Sequence, residues 1–186
     1  MSISTIISHL RSGIRATRQS ETALINGGRA LINSQATLTS TNIHDYEFKI
    51  FSQWGEDGII QYLIRNIAIE NHTFIEFGIE DFYESNCRFL MMKDFWRGFV
   101  IDGSQKNIDA LHSSYFFFQY ELNTCCSFID RSNINDLLET SGFSKYPGII
   151  SIDIDGVDFH IFESMKDWRP SIYIFEYNSN LIKYNF

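Results

Sequence analysis

Six carboxylates and one imidazole stand where an α/β chain does chemistry. Glu76 in IEFG, Asp102 in VIDGS, Asp153 and Asp155 in SIDIDG, and Glu176 in FEYN each close a short apolar run; Asp158 and His160 follow. A carboxylate is costly to bury unless it meets donors or cations, so acids converging on one edge point to a functional cleft. Asp102 lies 26 residues after Glu76, at the end of the next apolar run. That is where a dinucleotide- or adenosyl-binding fold puts the acid that accepts ribose hydroxyls. Gly78 gives the backbone close approach or unusual dihedrals. The loop Gly78-Ile79-Glu80-Asp81 has one glycine where a full phosphate-binding fingerprint has three, and its acids repel pyrophosphate. NAD and ATP are disfavoured; a ligand without phosphates, such as S-adenosylmethionine with its cationic sulfonium, is tolerated.

The densest acidic element is Asp153-Ile154-Asp155-Gly156-Val157-Asp158. On a strand, positions 153 and 155 share a face, and Gly156 lets the chain turn so that Asp158 rejoins them. Asp153, Asp155 and Asp158 would suit Mg²⁺ or another hard cation, although no Glu follows at a calcium-loop offset. The alternatives are a helix start capped by Asp158 and a hydrogen-bonding group for adenine or substrate. His160, one turn on, is a general base if it faces the cleft and a packed or surface residue if it does not.

The elements that position these groups follow from periodicity. Ile3, Ile6, Ile7, Leu10 and Ile14 recur at helical spacing, and Gly27-Gly28 is expected to interrupt that pattern. Residues 1–45 read as a helical or flexible arm, basic and rich in Ser and Thr, which docks on its own domain, a second subunit or a membrane surface. Residues 46–186 read as one domain. A helix opens at Gly55-Glu56-Asp57, its acids complementing the helix dipole. Strands are expected at His72–Gly78, Gly98–Asp102, Phe116–Leu122, Gly148–Asp155 and Ser171–Tyr177, with a short one at Cys126–Ile129. Helices are expected at Ser85–Phe95, Gln105–His112, Asn133–Ser141 and Phe159–Asp167. Such alternation signals an open, mostly parallel, Rossmann-like sheet with helices on both faces. Right-handed crossovers then bring the strands' carboxyl ends to one edge.

The bulk numbers narrow the class. A net charge of −8 without a Lys/Arg-rich run argues against tracking a nucleic-acid backbone. No apolar stretch reaches the ~20 residues of a bilayer span, and no signal-peptide pattern opens the chain. Cys87, Cys125 and Cys126 form no disulfide or metal pattern and read as buried small hydrophobes, so the cytoplasm is the expected setting. Trp54, Trp96 and Trp168 read as packing residues, with Trp54 in SQWGED also able to line a pocket.

Several segments together resemble the FkbM-type S-adenosylmethionine-dependent methyltransferases of bacteria. They are Phe51-Ser52-Gln53-Trp54-Gly55-Glu56-Asp57-Gly58-Ile59-Ile60, Phe74-Ile75-Glu76-Phe77-Gly78, Glu84-Ser85-Asn86, Asp102-Gly103-Ser104, 151–158 (SIDIDGVD) and Glu176-Tyr177-Asn178. The resemblance covers about residues 46–179. It implies O-methyl transfer to a sugar or surface-glycan hydroxyl, since such proteins accompany polysaccharide genes. It also implies that Glu76 and Gly78 border the methionine part of the cofactor, Asp102 with Gly103 and Ser104 the ribose, and Asp153 the methyl group. Asp155, Asp158 and His160 are then the candidates for activating the hydroxyl. The family fold adds a helix and two strands beyond the fifth strand. A shortened gene product, a fragment and a subunit completed by homo-oligomerisation are the readings this leaves. Two other functions stay open: a non-catalytic binding or assembly module, and a metal-dependent transferase or hydrolase using the Asp cluster.

Overall fold

Period-two alternation along five short strands decides which helix packs where. The computed structural model describes residues 2–154 and 156–176. Its helices are α1 (Ile3–Gln35), α2 (Glu56–Asn66), α3 (Arg88–Asp94), α4 (Gln105–Ser113), α5 (Ile134–Thr140) and α6 (Asp158–Ser164). Its strands are β1 (Thr73–Phe77), β2 (Arg97–Asp102), β3 (Leu122–Cys126), β4 (Ile149–Ile152) and β5 (Ile172–Phe175). All pairings are parallel, in the order β3-β2-β1-β4-β5. Phe74, Val100, Leu122, Ile149 and Ile172 face one layer, with Ile60, Phe89 to Met92, Ile108 and Leu111 from α2, α3 and α4. Ile75, Phe77, Phe99, Ile101, Ile150 and Ile152 face the other, with Ile134, Leu138 and Ile161 from α5 and α6. The expected Rossmann-like α/β sheet is what forms.

Two local expectations need correction. The third strand is Leu122–Cys126, whereas Phe117–Gln119 makes a 3-10 turn and no strand follows at 127–129. The aromatic run misled because Phe116 is buried while Phe118 is 86% exposed, a turn's pattern and not a strand's ladder. Gly27-Gly28 does not break α1, which runs for 33 residues. Gly28 lets the helix approach the core: a Cβ there would stand 2.4 Å from Phe89 Cζ.

The second half of α1 is tied into the domain by charge. Glu21, buried at 7% exposure, accepts from the Arg88 guanidinium and from the Tyr115 hydroxyl. Arg88 lies between the rings of Phe51 and Phe116, at 4.3 and 4.5 Å, and its Nη1 donates to the Tyr83 carbonyl. Burial lowers the Arg88 pKa and Glu21 opposes that shift. Further along, the buried Gln35 donates to the Tyr46 carbonyl and accepts from Arg65. Removing one partner of a buried pair strands the other charge. Glu21→Ala is therefore expected to lower the unfolding free energy by about 3 kcal/mol in urea titrations.

Candidate functional site

The sheet order reverses between β1 and β4, so the crevice lies outside their carboxyl ends. Gly78 makes that geometry possible. Its φ is +71°, and a Cβ at this position would stand 1.7 Å from the Asp153 carbonyl oxygen. The loop has few glycines yet still turns sharply, because Glu80 (φ 49°) and Phe82 (φ 62°) take the left-handed conformation themselves. Two contacts hold them there: Phe82 is fully buried, and the Glu80 N–H donates to Asp102 Oδ2 at 2.9 Å. Asp102 Oδ1 accepts from the Ser104 N–H (2.7 Å) and from Asn107 Nδ2 (3.0 Å). Asp102 thus staples the loop after β1 to the loop after β2.

Glu76 points into the layer that holds α3. Its Oε2 accepts from Ser85 Oγ (2.6 Å) and its Oε1 from the Asn86 N–H (2.8 Å). Asn86 Nδ2 reaches on to Ser151 Oγ at 3.1 Å, so one residue binds the acid of β1 and the hydroxyl of β4. Burial raises the Glu76 pKa to about 7; hydrogen bonds from Ser85, Asn86 and Cys87 oppose the shift, and the charge of Asp153 adds to it.

The opposite wall is the loop before α2. Asp57, nearly fully buried, accepts at Oδ2 from the N–H groups of Ile50, Phe51 and Ser52 and from Ser52 Oγ. That carboxylate curls residues 50–57 and holds Gln53 and Trp54 at the mouth of the cleft, where Trp54 is 73% exposed. Across from it Phe128 covers Gly103, whose Cβ would meet the ring at 2.7 Å.

The resulting cleft measures about 780 Å³. Glu56, Glu76, Glu80, Glu84, Asp102, Asp153 and Glu176 line it, and no Lys, Arg or His is among its described lining residues. Lys49 stands outside, paired with Glu84 at 3.1 Å. Such a cavity attracts a cation or a polyhydroxyl ligand and repels phosphate.

Of the residues singled out in the sequence, Trp54, Glu76, Gly78, Glu80, Asp102, Gly103, Ser104, Asp153 and Glu176 meet here. Two others do not line the cleft. Asp158 closes the loop ahead of α6, accepting from the Ile154 N–H (2.9 Å) and the Gly156 N–H (3.1 Å); it does not cap the helix, whose N-cap position is Val157. The His160 side chain, 59% exposed, turns along α6 towards Glu163, 3.6 Å away. The general-base role is corrected accordingly, because the helix points the ring to solvent. Asp155, Tyr177 and Asn178 lie outside the described residues. Among the described residues, no three of His, Cys, Asp and Glu gather as a metal site; the expected trio of Asp153, Asp155 and Asp158 includes one residue outside them. The sequence reading missed the bracing roles of Asp57, Ser85 and Asn86 and the wall made by Phe128. A Ser five residues before an Asp in Ser52…Asp57 was the available signal for the first.

Fold and site together define an open α/β domain with an acidic cleft at its switch point. No family model, curated protein or solved structure matches this chain.

The Glu76 proton has a stability signature. Below its ordinary value of 4.5 the group is protonated whether folded or unfolded; between there and about 7 only the folded state keeps the proton. Stability relative to Glu76→Gln therefore falls by about 3 kcal/mol as pH rises through that window, then levels off. Unfolding titrations of both proteins at several pH values check the slope and its sign.

Proposed function

We propose that the cleft binds S-adenosylmethionine and that the protein transfers a methyl group to a sugar or surface-glycan hydroxyl. The observation that carries this reading is the acidic cleft at the switch point, whose described lining residues include no basic side chain. A sulfonium cofactor without phosphates suits that field; a dinucleotide does not. Phe128 and Ile129 offer an apolar wall for an adenine, and Asp102, Gly103 and Ser104 stand where a ribose would lie. Asp102 already receives three donors, so of its roughly four acceptor positions about one is left for a ribose hydroxyl. Glu76 and Asp153 face the cationic methionine end.

When bound, the cofactor supplies an electrophilic methyl group. The chain's own part is to align an acceptor hydroxyl and receive its proton, and Asp153, exposed at the end of β4, is the carboxylate for that step. Mg²⁺ assistance would rest on Asp153 with Asp155, since Asp158 is engaged by backbone N–H groups. The unpaired thiols Cys87, Cys125 and Cys126 agree with action in the cytoplasm. One observation favours a second reading, a binding module without catalysis: neither Asp158 nor His160 lines the cleft.

Isothermal calorimetry separates these outcomes. S-adenosylmethionine is expected to bind, ATP and NAD are not, and Asp153→Asn is expected to weaken binding about tenfold, or 1.4 kcal/mol. No heat with S-adenosylmethionine overturns the cofactor assignment and with it the transferase reading. Binding without methylated product by mass spectrometry, across neutral and nucleotide-linked sugars, overturns the transferase reading and leaves the module.

A further inference from the structure

Helix α1 spans about 50 Å at 1.5 Å per residue, but the domain covers only its second half. Glu21, Gly28 and Gln35, seven residues apart, are its buried positions among the described residues. Seven residues are nearly two turns, with a drift of about 20° per step, so these three share one face. The same face continues outward as Ile14 and Ile7, yet these are 48% and 43% exposed. Among the described residues between Ser2 and Ser20 all but Thr5 are exposed, and Arg18 lies over the Tyr115 ring of the body at 4.9 Å. The projecting half contains Gly13, three threonines or β-branched neighbours per turn in places, and no acid in its first turn. A short helix of that composition is marginal in water unless something covers its apolar stripe.

Charge says what covers it. Residues 1–20 carry Arg11, Arg15 and Arg18 and no acid, so with +3 there the overall −8 leaves −11 on the rest of the chain. Two projecting halves laid against each other would repel. The body attracts them, and it exposes large apolar rings to receive isoleucines: Phe95 at 71% and Phe118 at 86%. No described helix is long and apolar enough to cross a membrane. An anionic lipid surface would also repel a body of −11.

We propose that the Ile7–Ile14 stripe is a dimer contact. The projecting half of each α1 lies on the acidic body of a second copy, extending the face that already packs on its own domain. The exchange is reciprocal, as a two-fold pair requires.

Sedimentation equilibrium on the full chain tests it. Wild type is expected at twice the chain mass. Ile7→Asp/Ile14→Asp and Arg11→Glu/Arg15→Glu are each expected to halve that mass and to remove the rise of Tm with protein concentration, while near-ultraviolet circular dichroism still reports a packed domain because the substituted side chains are exposed in the single copy. A wild-type monomer overturns the proposal, as does a dimer that persists in both variants. If the monomer instead co-sediments with phosphatidylserine-containing vesicles and the variants do not, the stripe belongs to a lipid surface and the proposal also fails.

Discussion

The Asp153 carbonyl oxygen occupies the space that a side chain at position 78 would need, 1.7 Å from where its Cβ would stand. Around that contact the ends of β1 and β4 are brought together at the point where the sheet order reverses. Glu76 is buried in that junction, and burial, with a small addition from the charge of Asp153, raises its pKa to about 7. The left-handed turns at Glu80 and Phe82 follow from the same constraint, since the chain must leave Gly78 steeply. Non-glycine residues hold such conformations at a cost of about 1–3 kcal/mol each, offset here by the Asp102 hydrogen bond and the burial of Phe82.

The walls of the cleft rest on two further buried ionic centres. Asp57 organises residues 50–57 through four donors to one oxygen, and burial raises its pKa against those donors. Arg88, at the start of α3, is compensated by Glu21 from α1. The N-terminal helix thus completes the core from which the cleft is built: the guanidinium beneath Phe51 steadies the segment that carries Gln53 and Trp54.

Much of this was legible from residue order. The strands β1, β2, β4 and β5 announce themselves as apolar runs with acidic ends, and the meeting of Glu76, Asp102 and Asp153 follows from parallel topology alone. What sequence could not supply was orientation. Asp158 and Asp153 look equivalent in SIDIDGVD, yet one receives the N–H groups of its own loop and the other lines the cleft. His160 sits one helical step from facing inward. The Phe116–Tyr120 run has strand composition but lacks a neighbour to ladder with, and Gly28 marks a close helix approach that composition reads as a break. Each of these depends on long-range packing, to which local periodicity is blind.

The central claim is that the acidic cleft between the β1 and β4 ends is an adenosyl-cofactor site. A crystal structure of the protein soaked with S-adenosylhomocysteine tests it most directly. Density is expected in that cleft, the amino-acid end beside Glu76 and Asp153 and the adenine against Phe128. A fully soaked crystal with the cleft vacant, or with the ligand bound elsewhere, would contradict it.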